Sequence, residues 1–109
     1  MPNVQVGEWD IIQSNGWKVV VDLQQSSNGV LTGDADARPI SGGGPSMDGD
    51  IQDFSKVDGN FFQLRIEWSP NSLGNYQGFF GGDGSLAGTS HDEKNLASQA
   101  TWVANRRFT

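Results

Sequence analysis

The chain has 109 residues, no cysteine and a formal net charge of −6. That is the length of one domain, 1–109. Without cysteine it has neither a disulfide framework nor a thiolate metal site, and its negative field disfavours nucleic acid and anionic membranes as partners. Fifteen glycines, four tryptophans and six phenylalanines suit short strands joined by tight turns and suit a helical bundle badly.

The start, Met-Pro-Asn-Val-Gln, lacks a basic segment followed by an apolar one. No apolar run approaches the roughly 20 residues that span a bilayer. Cytoplasmic residence is the default expectation, with a trimmed secreted form as its alternative. The first strand is expected near 8–13. Asn15-Gly16 follows, then a run in which Trp17, Val19, Val21 and Leu23 alternate with Lys18, Val20, Asp22 and Gln24 up to the next Asn-Gly pair, Asn28-Gly29. Period 2 means one dry face and one wet face, and the Asn-Gly pairs suit the positive φ angles of primed hairpin turns.

Further strands are expected near 30–37, 47–54, 61–68, 75–80, 85–91 and 98–105. Phe62, Leu64, Ile66 and Trp68 give the clearest second alternation. Strands spaced about 8–12 residues apart with turn signals between them indicate an antiparallel sandwich or barrel. Asn-Gly-Val-Leu-Thr-Gly at 28–33 is echoed half a chain later by Asp-Gly-Ser-Leu-Ala-Gly at 83–88, as two four-stranded halves would show. The expected fold is all-β: a single antiparallel up-and-down barrel of about eight strands, which leaves no exposed edge.

With sequential strands antiparallel, the connections 26–29, 55–60 and 81–84 fall at one end as compact turns. Those at 14–16, 38–46, 69–74 and 92–97 fall at the other, three of them longer and bearing Pro, Gly or charge. Long loops on a rigid scaffold are where binding usually resides, so this end is taken as the mouth. Trp17, Trp68 and Tyr76 gather there, whereas Trp9 starts its strand at the opposite end and plugs the floor. Gln13, Arg38, Ser90 and His91 are the polar candidates beside the three rings.

His91, the only histidine, precedes Asp92 and Glu93 and could act as a general base. One histidine is too few for zinc, and no Gly-x-Ser-x-Gly elbow is present. Asp48, Asp50 and Asp53, with Asp34 and Asp36 on the preceding strand, lack the spacing of a calcium loop and read as a solvated face. Gly81-Gly82-Asp83-Gly84 reads as a turn. Gly42-Gly43-Gly44 precedes no helix, so it is not a phosphate cradle. No cofactor is expected.

Gly7-Glu8-Trp9, Gly29-Val30-Leu31-Thr32-Gly33, the strand ending in Trp68, and Tyr76-Gln77-Gly78 together resemble the avidin and streptavidin family of lipocalin-like barrels. The resemblance implies a barrel that holds the biotin ureido group with hydroxyl and amide side chains between Trp walls, with Trp68 at one wall position and Tyr76 in place of another aromatic. The chain departs from that pattern at Ala35 and Ala37, where a tyrosine and a serine are expected, and at Ile11, where a polar residue is expected. The expected function is therefore non-enzymatic binding of a small molecule or short glycan at the open end, in a monomer or homo-oligomer. The alternatives are a lectin using surface loops, a barrel-cavity isomerase or cyclase, and a protease inhibitor that threads Met1–Val6 into a partner.

Overall fold

The computed structural model describes residues 2–41 and 46–108. The triglycine 42–44, and with it the middle of the connection read at 38–46, lies outside the described residues. The strands are β1 (Glu8–Gln13), β2 (Trp17–Gln25), β3 (Leu31–Pro39), β4 (Met47–Ile51), β5 (Lys56–Asp58), β6 (Phe61–Ser69), β7 (Ser72–Phe80), β8 (Leu86–Asp92) and β9 (Asn95–Ala104). All pairings are antiparallel between sequence neighbours, and two further ones close the ring. These are β1 with β9, through Gln13 opposite Trp102, and β4 with β6, through Ile51 opposite Ile66. The product is a closed eight-stranded up-and-down barrel with β5 as an extra strand.

β5 corrects the strand expected at 47–54. That strand breaks after Ile51 and resumes at Lys56, so that β4 flanks the second half of β6 and β5 the first. The break centres on Phe54, the one non-glycine residue with positive φ (71°) among those described. Ser55 stabilises it: its hydroxyl donates to the Gln52 carbonyl (2.9 Å) and accepts from the Arg65 N–H (2.9 Å).

Two loops expected to be long are tight hairpins instead. Ser69 pairs with Ser72 around Pro70-Asn71, and Asp92 pairs with Asn95 around Glu93-Lys94. Asp92 accepts the Lys94 N–H (2.8 Å), and Glu93 pairs with Arg65 (2.8 Å), which fixes the second turn. β7 and β9 therefore begin three residues earlier than read: at β9 the added residues 95–97 stand in water, whereas at β7 Leu73 and Gly74 are buried. Loop length does not single out the mouth.

Gly16 and Gly29 have positive φ, 90° and 88°, but Asn15 and Asn28 do not. The turns are thus not primed. Gly16 N–H donates to the Gln13 carbonyl (3.4 Å) and Gly29 N–H to that of Ser26 (3.0 Å), a turn closed by a left-handed glycine. The internal echo has a structural counterpart. Ser26 N–H donates to Val30 and Gly81 N–H to Ser85, while Gly29 and Gly84 donate back to Ser26 and Gly81. The following leucines, Leu31 and Leu86, are both buried, and β3 and β8 stand on opposite sides of the ring.

The core fills the lower barrel. Val19, Val21, Leu23, Leu64, Ile66 and Trp102 all point into it, as the alternation requires. The floor is sealed by Trp9, Phe62, Phe80 and the C-terminal Phe108, with Trp9 edge-on to Phe108 at 4.9 Å. The N-terminal segment crosses the same end: Val4 is fully buried, and Gln25 holds the Val4 N–H and the Pro2 carbonyl, each at 3.0 Å. Tied in this way, the N-terminal segment is part of the floor. Beside the core, Trp102 donates its indole N–H to the Thr89 carbonyl (2.9 Å) and lies against Gly78, where a Cβ would sit 3.0 Å from its ring.

The outer wall has two characters. Glu8, Asp22, Asp34, Asp50 and Glu67 stand directly opposite one another across β1, β2, β3, β4 and β6, with Asp36 facing Asp48 in the next row. The Asp36 carboxylate pushes that of Asp48 above the ordinary range, because the two share a hydrogen bond. On the other side, Phe61, Phe79, Ala87, Val103 and Ile12 form an unbroken uncharged row across β6, β7, β8, β9 and β1. Among the described residues no helix is long and apolar enough to cross a membrane.

Like charges directly opposite on a sheet destabilise it. Asp34→Asn, which relieves repulsion from both Asp22 and Asp50, should raise the melting temperature at low ionic strength. The gain should vanish near 1 M salt, where the screening length falls to about 3 Å. A melting temperature unchanged at low salt would show the row to be electrostatically idle.

Candidate functional site

Opposite the sealed floor, the barrel opens into a cavity of about 190 Å³. Every strand of the ring contributes to it. Gln13 comes from β1, Trp17 from β2, Ala37 from β3, Met47 from β4 and Trp68 from β6. β7 gives Ser72, Gly74 and Tyr76, β8 gives Ser90 and Asp92, and β9 gives Ser98 and Ala100. On each strand these inward positions continue the dry face below: Ile11 under Gln13, Val19 under Trp17, Ile66 under Trp68.

Trp17, Trp68 and Tyr76 thus meet at one end, together with Gln13 and Ser90. Two glycines make the space for the rings. A Cβ on Gly49 would fall 2.6 Å from the Trp68 ring, and one on Gly74 would fall 2.9 Å from the Tyr76 ring and 3.1 Å from the Trp68 indole nitrogen. Trp68 is therefore seated between the small residues of β4 and β7 and is only partly buried.

Tyr76 forms the bottom of the cavity. Its hydroxyl donates to Gln13 Oε1 (2.9 Å), and Gln13 Nε2 donates to Asn15 Oδ1 (3.0 Å). The buried members of this chain, Tyr76 and Gln13, are both satisfied, which fixes their side chains in one arrangement. Burial pushes the Tyr76 phenol well above its ordinary value, a shift that the neighbouring Trp68 N–H offsets only in part.

Tyr76 is the only tyrosine, so its titration can be read alone. The unfolded chain releases the phenolic proton near pH 10, while the folded chain retains it. Stability from this group is therefore complete below about pH 10 and is lost as the pH rises further. In an alkaline titration, tyrosinate absorbance should appear only together with unfolding. Reversible ionisation near pH 10 in the folded chain would place the hydroxyl in solvent.

Two of the polar candidates stand elsewhere. Arg38 lies on the outer face of β3, between inward Ala37 and the strand end, and pairs with Asp36 at 3.1 Å. It is not part of the cavity wall. His91 borders the cavity, but strand alternation puts its side chain outside: it pairs in register with Asn75 and Gln99, while its neighbour Ser90 is buried within.

Asp92, read only as part of a loop, is an inward residue of β8. Burial would raise its carboxyl, but the N–H groups of Lys94, Leu73 and Asn95 and the Ser72 hydroxyl outweigh this and hold it below the ordinary carboxylate range. The Ser72 hydroxyl donates to Oδ2 (3.0 Å) and the Leu73 N–H to Oδ1 (3.2 Å). Counting in twos from Ser90 would have found Asp92, and counting back from Tyr76 would have found Gly74 and Ser72. At the positions where the resemblance expects polar groups, Ile11, Ala35 and Ala37 are inward and buried, so none supplies a hydrogen bond to the cavity. Among the described residues no three His, Asp or Glu side chains converge as metal ligands.

Fold and site define a class: a closed antiparallel β-barrel with one end sealed by aromatic rings and the other opening into an aromatic-walled cavity. No family model, curated protein or solved structure matches the chain.

Proposed function

We propose that the protein is a non-enzymatic binding module that takes a small molecule, or the end of a short glycan, at the open end of its barrel. The observation that carries this reading is the convergence of inward residues from all eight ring strands on one cavity, with Trp17 and Trp68 as walls and Tyr76 as base. Aromatic faces stack on sugars and planar heterocycles. Ser90 and the tip of Asn15 supply hydrogen bonds, and Gln13 holds the base in place. The avidin-like architecture belongs to the same reading, but Ala37, an apolar residue in the wall, argues against that family's way of holding biotin. A cavity enzyme is a weaker second reading, since the one histidine faces outward and the Asp92 carboxyl, held below the ordinary range, is a poor general base.

The test is a small-molecule screen read by tryptophan fluorescence, with a glycan array beside it. For the ligand found, Trp68→Ala should weaken binding at least tenfold, about 1.4 kcal/mol, with little change in melting temperature because the ring is only partly buried. If Trp68→Ala binds normally, the site lies on the loops and the lectin reading takes over.

A further inference from the structure

We infer that the cavity selects an N–H-bearing organic cation, a protonated amine or amidinium whose charge sits beside the Asp92 carboxylate and against the Trp17 and Trp68 rings. This rests on the binding reading above and narrows its ligand class.

Asp92 is the one carboxylate among the inward wall residues, and no lysine or arginine among the described residues lines the cavity. Four donors hold its carboxylate: Oδ1 takes the N–H groups of Leu73 and Lys94, Oδ2 takes the Ser72 hydroxyl, and the Asn95 N–H adds to them. Oδ2 is the oxygen with a single donor at hydrogen-bond distance, and so the one that a ligand can approach. The four donors together keep the group ionised at neutral pH. The Arg65 guanidinium lies on the outer wall and is committed to Glu93 through two contacts, at 2.8 and 3.1 Å.

A cation entering this cavity finds a fixed negative charge that nothing in the wall neutralises. It also finds two indole faces, whose quadrupoles attract cations, Trp most strongly among the aromatic residues. An anion of the same shape meets repulsion from Asp92 and from a protein of net charge −6. A neutral ligand retains the stacking but loses the charge-assisted hydrogen bond, which is roughly twice as strong as a neutral one.

The experiment uses three planar probes of nearly equal size, benzamidinium, benzamide and benzoate, titrated into the full chain by calorimetry and tryptophan fluorescence. The expected order is benzamidinium at least tenfold tighter than benzamide, with benzoate not bound. Asp92→Asn should reduce benzamidinium to the affinity of benzamide, and Trp68→Ala should weaken both. The ordering of the three probes on the unmodified chain decides the matter even if Asp92→Asn fails to fold. If benzamide or benzoate binds as well as benzamidinium and Trp68→Ala weakens it, the charge selection is wrong and the cavity reading stands. Benzamidinium binding that survives Trp68→Ala but falls with Asp34→Asn belongs to the outer carboxylate row and overturns the inference. If no probe binds, both the inference and the cavity reading lose their support.

Discussion

Replacing Trp9 by alanine is expected to remove about 3–5 kcal/mol of folding stability, the range for deleting a buried indole. Trp9 is almost wholly buried. It touches Phe62 and Phe108 with ring centroids at 6.1 and 4.9 Å, and its Nε1–H donates to the Val4 carbonyl (3.2 Å). The substitution therefore opens a void at the floor and also frees a buried carbonyl on the N-terminal strap. Denaturant unfolding at constant m-value checks it. A loss below about 1 kcal/mol would mean that the floor collapses around the gap and that the two termini, not the ring, hold it closed. Trp9→Phe, which keeps an aromatic ring but not the N–H, should recover part of the loss and separate packing from the hydrogen bond.

Leu64→Ala should cost about 2–5 kcal/mol. Leu64 has no exposed surface and lies between Phe62 and Ile66 on the inner face of β6, opposite Tyr76 of β7. Its neighbours are strands of a closed ring, which cannot slide inward without straining the ladders on both sides, so the cavity term should stay near its full value. A loss under half a kilocalorie, as judged from the midpoint of the same unfolding curve, would sink the assignment of that face to the core.

The sequence was most informative where one face of a strand is dry. Val19, Val21 and Leu23, or Phe62, Leu64 and Ile66, alternate with polar residues because water lies on one side only, and the barrel class follows from repetition of that pattern. At the rim the alternation fails. Asn95, Leu96 and Ala97 of β9 are exposed on both faces, and Ser72, Leu73 and Gly74 of β7 carry one large apolar side chain among them, so both stretches read as loop. β5 is three residues long, too short for a period to show, and the Phe54 kink before it places a phenylalanine where a glycine would ordinarily be needed. Trp17, Trp68 and Tyr76 were legible as a group because strand direction alone brings them to one end. Arg38 and His91 lie near that end in sequence, yet parity puts both outside, one step from inward Ala37 and Ser90. Asp92 shows the converse: it looks like loop beside Glu93 and Lys94 but continues the inward face of its strand.

The division of the outer wall has a physical consequence beyond stability. The carboxylates of Glu8, Asp22, Asp34, Asp50 and Glu67 occupy the β1-to-β6 side, whereas the row from Phe61 to Ile12 through Phe79, Ala87 and Val103 carries no charge. The acidic row climbs the wall, from Glu8 at the floor end of β1 to Glu67 near the mouth end of β6. A positively charged surface therefore finds its footing along one flank of the barrel, and an apolar one along the other.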